Sequence, residues 1–285
     1  MSERPRALPA DPPPPAADYR GLLRSAGLDR ADALALLIHA SGRSRAWLIA
    51  HDEDAVDAAT QARFATLAAA RRAGEPVAYL VGQREFFGRA FAVDRRVLIP
   101  RPETELLVEW ALAHAPAGAR VLDLGTGSGA IAVTLAAERR DLELWAVDLS
   151  AEALEVAAAN AARHAPGRVR LLRSDWTAAL GNEGFGLIVS NPPYIAAGDR
   201  HLAEGDLRFE PAGALTDQRD GLSCIRAIVA GLETHLLPGG WVGIEHGYDQ
   251  SAAVRSLLTQ AGLEEVASAR DLAGIERISV GRRPG

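Results

Sequence analysis

The chain has 285 residues, 48% of them apolar and 24% charged, which is enough for a substantial core in one large domain or two smaller ones and too apolar for global disorder. It holds no apolar run of membrane-spanning length, and its one cysteine, Cys224, excludes an internal disulfide, which fits a reducing cytoplasm. The formal net charge of −6 argues against a protein that wraps naked nucleic acid, and all 31 basic residues are arginine.

Residues 1–17 are proline-rich and lack the apolar centre of a signal peptide, so they read as a flexible, partly extended tail. Over 18–83 the pattern is helical. Leu22, Leu23, Leu34, Leu36, Leu37 and Ile38 recur at three-to-four spacing, and Asp29 is a cap for the second helix. An alanine-rich helix over 54–73 carries Val56, Phe64 and Leu67 and stops at Gly74 and Pro76. Over 84–100, Glu85-Phe86-Phe87 and Phe91-Ala92-Val93 flank Gly88, and Val97-Leu98-Ile99 ends against Pro100. This predicts a β-hairpin connector. From Arg101 to the end, short apolar runs at 120–124, 143–147, 169–172, 187–190 and 241–245 alternate with helical stretches. A helix over 252–261 and a late strand at 275–280 follow. Such alternation predicts an α/β domain over 101–285, a doubly wound and mostly parallel sheet with helices on both faces.

Within that domain, Val121 to Ala130 reads as a strand entering a turn, Gly125-Thr126-Gly127-Ser128-Gly129, and then a helix. Glycines there let the backbone turn sharply and approach a ligand. Asp148 ends the next strand and is placed to accept hydrogen bonds from ribose hydroxyls, which points to a nucleoside-containing cofactor. Gly125, Gly127 and Ala130 formally satisfy the dinucleotide fingerprint as well, so a dehydrogenase is the first alternative. Asp123, just before the turn, suits a cofactor bearing an amino group better than a pyrophosphate.

The strand Leu187–Ser190 runs into Asn191-Pro192-Pro193-Tyr194. In a doubly wound sheet the first and fourth strands are neighbours, so Asn191 should share a crevice with the glycine turn. An amide or ring-amino nitrogen is a poor nucleophile because its lone pair is delocalised. The Asn191 side-chain oxygen and the Pro192 carbonyl can accept its two N–H groups and align it with a methyl donor, which is catalysis by positioning and preorganisation. Pro193 stiffens the loop, and the ring of Tyr194 can pack on a planar group. The seven histidines are scattered, so neither a metal site nor a nucleophilic cysteine is expected.

Asp123-Leu-Gly-Thr-Gly-Ser-Gly129 resembles the first motif of class I methyltransferases. The Asn-Pro-Pro-Tyr loop is similar to that of adenine-N6 DNA, some ribosomal RNA guanine, and protein glutamine methyltransferases. Several further segments resemble the HemK/PrmC-type peptide chain release factor glutamine methyltransferases. They are Pro76–Gly82, Glu85–Gly88, Leu98–Glu105, Ser174–Trp176, Phe209–Pro211, Asp220–Leu222, Pro238–Gly240 and Glu245–Gly247, and the likeness runs from about Asp18 to Val280.

That resemblance implies S-adenosylmethionine as cofactor, with Gly125, Thr126, Gly127, Ser128 and Gly129 as its loop, Asp148 on the ribose, Trp176 beside the adenine and Asn191 near the methyl donor. It implies Asn191, Pro192, Pro193 and Tyr194 as the glutamine-binding loop, with Asn191, Pro192 and Tyr194 in the chemistry. The implied substrate is the glutamine of the Gly-Gly-Gln tripeptide in class 1 release factors, methylated in the cytoplasm by a monomer without direct nucleic-acid or membrane contact. Arg101 and Glu103 read equally as substrate-docking residues or as a solvated hairpin foot, and Glu245 equally as a site residue or a packing carboxylate. A nucleic-acid base methyltransferase is the enzyme alternative, and a cofactor-binding interaction module without chemistry is the non-enzyme one.

Overall fold

The computed structural model describes residues 17–285, so the expected flexible tail lies outside the described residues but for Ala17. The chain divides after Val81 into two compact units.

The described part of the first unit holds α1 (Tyr19–Ser25), α2 (Arg30–Ser41), α3 (Arg45–Ala50), α4 (Ala58–Arg72) and α5 (Val77–Val81). The first N–H groups of a helix lack internal partners, and short polar side chains supply them. Asp18 accepts from Gly21, Asp29 from Ala31 and Asp32, Ser44 from Trp47, and Asp57 from Thr60. Asp57 also explains why α4 begins at Ala58 rather than in the expected 54–57 stretch. Val56, ahead of the cap, is buried with Leu36, Leu37, Leu48 and Phe64 in the core of this unit.

The second unit opens with β1 (Gln83–Phe86) and β2 (Arg89–Ala92), an antiparallel pair. Phe87 and Gly88 between them have φ of 49° and 69°, as a two-residue turn needs when its twist must match that of the strands. The ladder stops at Ala92. Val97-Leu98-Ile99, expected within the hairpin, is irregular, and the Ile99 N–H donates to the Glu210 carboxylate at 3.0 Å instead of to a strand.

A 3-10 turn, Pro102–Thr104, leads into α6 (Glu105–His114), β3 (Arg120–Leu124), α7 (Ala130–Glu138), β4 (Glu143–Asp148), α8 (Ala151–His164), β5 (Val169–Arg173) and β6 (Phe185–Ser190). The short α9 (Ala212–Leu215) precedes α10 (Ser223–His235), β7 (Leu236–Glu245), α11 (Ser251–Gln260), β8 (Glu264–Arg270) and β9 (Glu276–Arg282). The seven-stranded sheet has the order β5-β4-β3-β6-β7-β9-β8. Its first five strands run parallel, and β9 is antiparallel to both β7 and β8.

Alternate residues of β3 serve opposite faces, as the strand period of two dictates. Val121 packs with Leu107 and Val108 of α6 and Val133 of α7, whereas Leu122 and Leu124 pack with Ile225 and Ile228 of α10 and Val254 of α11. The doubly wound expectation is met, and β3 and β6 pair directly. The edge strand β8 was not anticipated. Among the described residues no helix is long and apolar enough to cross a membrane.

Candidate active site

The C-terminal ends of β3, β4 and β6 open onto a cleft of about 510 Å³. At its floor the chain leaves β3 through Gly125, Gly127 and Gly129, with φ of 74°, 55° and 81°. These left-handed values strain any residue with a Cβ. The N–H groups of Gly125 and Thr126 both donate to the Val147 carbonyl at 2.9 Å, folding the turn toward the end of β4. A Cβ on Gly127 would meet nothing within 4 Å, so its backbone faces open space, whereas one on Gly129 would lie 3.2 Å from the Ala157 Cβ of α8.

Asp148 stands beside this turn. Its Oδ2 accepts the Gly127 N–H at 2.9 Å and its Oδ1 that of Ser150 at 2.9 Å. Burial raises its carboxyl above the ordinary range, opposed by those same N–H groups. Trp176, itself at φ 47°, closes the other side, with Cζ3 3.5 Å from where a Gly125 Cβ would stand.

Asp123 serves differently from expectation. It does not line the cleft; it lies under the turn, where Oδ2 accepts from the Thr126 hydroxyl at 2.6 Å and the Ala132 N–H at 3.2 Å. Its Oδ1 has no partner, and burial pushes the carboxyl up to about 7.

Across the cleft, the Ser190 hydroxyl donates to the Leu124 carbonyl and so ties the end of β6 to the end of β3. The next residue, Asn191, donates through Nδ2 to the Thr104 hydroxyl at 3.1 Å. Asn191 and Pro193 line the cleft, Pro192 is buried, and the Tyr194 hydroxyl donates to Glu245 Oε1 at 3.4 Å. The loop is stapled from behind. The Ile195 N–H donates to the Leu215 carbonyl at 3.0 Å, and Gln250 Nε2 donates to the Tyr194 carbonyl at 2.9 Å. At the hairpin foot, Arg101 is ion-paired to the buried Glu210. Among the described residues, no group of three or more His, Cys, Asp or Glu is arranged to hold a metal ion.

The chain matches the family model for the PrmC N-terminal domain over residues 17–82 and that for the methyltransferase small domain over 102–214. It is 57% identical over 273 residues to the release factor glutamine methyltransferase of Burkholderia pseudomallei strain K96243, covering 93% of this chain and 95% of the relative. The chain belongs to the release factor glutamine methyltransferase family. The Escherichia coli K12 member is 43% identical, with 91% of this chain and 94% of that protein covered. A methyltransferase from Pyrococcus furiosus, 19% identical with a TM-score of 0.54 over 76% of this chain and 98% of its own, shares the class I fold.

In this family member the residues singled out from sequence fall into two sets. Gly125, Thr126, Gly127, Ser128, Asp148, Trp176, Asn191 and Pro193 share one cleft. Gly129, Pro192 and Tyr194 are not among the residues that line it, although Pro192 and Tyr194 belong to the loop that Asn191 and Pro193 present to it. Thr104 went unnoticed, because a threonine ahead of a helix reads as a cap. It does occupy the N-cap position of α6, yet it makes no side-chain cap bond, and its hydroxyl is turned to Asn191. The only signal for it was its place in the motif Leu98–Glu105.

Proposed function

We propose that this enzyme transfers a methyl group from S-adenosylmethionine to the side-chain amide nitrogen of the glutamine in the Gly-Gly-Gln motif of class 1 release factors, and so tunes translation termination. The observation that carries the reading is the position of Asn191. It shares a cleft with the glycine turn, and its Nδ2 is committed to Thr104, so the acceptor Oδ1 is the end left over. The names of the relatives supply the substrate class.

The residues present fit the cofactor. Gly127 lines the cleft with half-buried backbone that carries no side chain, Asp148 keeps lone pairs for ribose hydroxyls beyond the two N–H groups it already accepts, and Trp176 offers a ring face for the adenine. When bound, the cofactor supplies an electrophilic sulfonium methyl. Asn191 Oδ1 and the Pro192 carbonyl accept the two N–H groups of the glutamine amide and hold its nitrogen in line. Pro193 restricts the loop, and Tyr194 packs against the planar amide. These groups lower the barrier by fixing geometry and by stabilising positive charge that develops on the nitrogen. The helical unit, in this reading, holds the body of the release factor, since a tripeptide alone offers too little surface for specificity. In this reading the enzyme works in the cytoplasm as a monomer, without membrane or direct nucleic-acid contact.

The test is incubation with labelled S-adenosylmethionine and, separately, purified release factors, DNA and RNA, with the label located by mass spectrometry. Label on the release factor glutamine is the expected result. Label confined to a nucleic-acid base would replace this reading with a base methyltransferase.

A further inference from the structure

The loop Asn191-Pro192-Pro193-Tyr194 is poor in donors, because its two prolines carry no N–H. It cannot hold its own shape by main-chain bonds at those positions, so its carbonyls need partners from elsewhere. For Tyr194 that partner is Gln250, 56 residues further on. The Gln250 amide makes three bonds. Nε2 donates to the Tyr194 carbonyl at 2.9 Å and to the Gly221 carbonyl at 3.2 Å, and Oε1 accepts the Gly247 N–H at 2.8 Å. Gln250 occupies the N-cap position of α11, yet its side chain makes no cap bond there. The amide is spent on the loop instead.

We propose that Gln250 is a positioning residue for methyl transfer, whose amide sets where Asn191 and the Pro192 carbonyl meet the acceptor nitrogen, an inference that rests on the functional reading above.

Proton inventory fixes the orientation of this amide. A main-chain carbonyl only accepts and a main-chain N–H only donates. Turned about, the side chain would set its oxygen against two carbonyls and its N–H₂ against the Gly247 N–H. Both amide hydrogens are therefore committed to carbonyls, one of them on the substrate loop. The other carbonyl is itself held in place, since Asp217 Oδ1 accepts the Gly221 N–H at 2.9 Å and Oδ2 accepts that of Ser223 at 2.8 Å. Gln250 thus ties the loop to two fixed points, the turn before α10 and the turn after β7.

Gln250 does not line the cleft, so it acts through the loop. One end of that loop is fixed by the Ser190 hydroxyl on the Leu124 carbonyl, the other by Gln250 on the Tyr194 carbonyl. Two of the three residues between these anchors are prolines with φ locked, so a shift at Tyr194 is passed on to Pro192 and Asn191 rather than absorbed. A misplacement of about 1 Å at a reacting group can cost about a hundredfold in rate. A merely structural role would lie in Oε1, which secures the turn after β7, whereas the positioning role lies in Nε2. Substitution can separate the two.

The experiment compares Gln250→Glu and Gln250→Met with the unaltered enzyme in single-turnover methylation at saturating acceptor. Glutamate keeps an oxygen for the Gly247 N–H but sets a carboxylate against both carbonyls; methionine keeps the length and loses all three bonds. Rates are expressed per mole of cofactor-binding protein, measured by calorimetry, so that any unfolded fraction drops out. They are taken as variant-to-wild-type ratios on whichever acceptor the wild type methylates. A wild type inactive on release factors but active on a nucleic acid would thus overturn the functional reading, while the ratios still judge this one. Both variants should lower the saturated rate by about tenfold or more, glutamate at least as much as methionine. Cofactor affinity and the half-saturating acceptor concentration should stay within about twofold. The proposal is overturned if Gln250→Glu keeps the wild-type rate, or if the loss lies in cofactor affinity or acceptor KM alone. Should Gln250→Glu fail to fold, Gln250→Met decides, and a wild-type saturated rate in that variant overturns the proposal.

Discussion

The Ser190 hydroxyl donates to the carbonyl of Leu124 at 2.7 Å. One of these residues precedes Asn191 and the other precedes Gly125, so the substrate loop and the glycine turn leave the sheet from a shared anchor. Register alone would place them side by side, since Leu124 pairs with Ser190. The side-chain bond adds direction, because it fixes where β6 stops and therefore where the polar loop begins.

Asn191 should dominate the chemical step. Asn191→Ala should lower the single-turnover rate by about a hundredfold, the order seen when one preorganised partner is removed, while cofactor affinity stays nearly constant. Asn191→Asp should do less harm because a carboxylate still accepts the bond. Tyr194→Phe should be milder still if the ring face makes the contact. Rapid-quench assays on a release factor give the ranking, and an alanine variant at full rate would reduce the loop to a turn.

Asp148 should govern cofactor affinity. Calorimetry should show Asp148→Ala binding S-adenosylmethionine and its demethylated product about ten- to a hundredfold more weakly, the cost of losing two ribose hydrogen bonds. NAD should bind neither form. Unchanged affinity in the variant would remove Asp148 from the site.

Gly221 should be intolerant of any side chain. Its φ is +80°, and a Cβ there would lie 2.5 Å from the Tyr194 carbonyl oxygen and 2.7 Å from Gln250 Nε2. Gly221→Ala should therefore cost about 1–3 kcal/mol in denaturant titrations and slow methylation through the displaced loop. Gly213→Ala, in a helix with nothing within 4 Å of the added Cβ, should change stability by no more than about 0.5 kcal/mol. Equal stability of the two variants would refute the steric account.

Asp123 makes a prediction about pH and stability. Its carboxyl is raised from 3.8 to about 7 by burial, so the fold favours the protonated form. The stability it contributes is fully present below 3.8 and is lost as pH rises through about 7. Asp123→Asn lacks that loss. The melting temperature of the variant minus that of the wild type should climb between those limits and level off above them. A flat difference across the window would mean that the group does not titrate there.

A chain starting at Gly82, shown by circular dichroism to be folded, should bind the cofactor nearly as well as the full chain. Its KM for a whole release factor should rise by about tenfold or more if the helical unit holds the factor's body. Normal kcat/KM in the truncated enzyme would remove that role.

The central strands were legible because β3 and β6 are buried on both faces and spell near-continuous apolar runs. The edge strand β8, Glu-Glu-Val-Ala-Ser-Ala-Arg, was not. It is half exposed, its register shifts between Glu264 and Ala267, and Glu265 sits at φ 53°, so neither alternation nor branched residues announce it. The glycine turn, Asp148 and the Asn191 loop could be read because each is local to one strand end. Thr104 could not, since it is 87 residues from Asn191 and its meaning lies in that pairing. The same holds for Glu210, whose carboxylate serves the Ile99 N–H from 111 residues away. Asp123 was read toward the ligand because nothing in its neighbourhood announces that Thr126 and Ala132 would claim one oxygen.

Asn160 of α8, 1% exposed, carries a further consequence. Its amide accepts the Ala92 N–H at 2.7 Å and donates both to the Ala92 carbonyl at 3.0 Å and to the Ser128 carbonyl at 2.8 Å. One side chain thus pins the second hairpin strand and the glycine turn to the same helix. Anyone building chimaeras between members of the family should therefore splice ahead of Gln83. A junction after the hairpin would set a foreign strand against a resident Asn160, whose bonds are to main-chain groups, and any shift of that strand's backbone would surface as weakened cofactor affinity rather than as altered substrate choice.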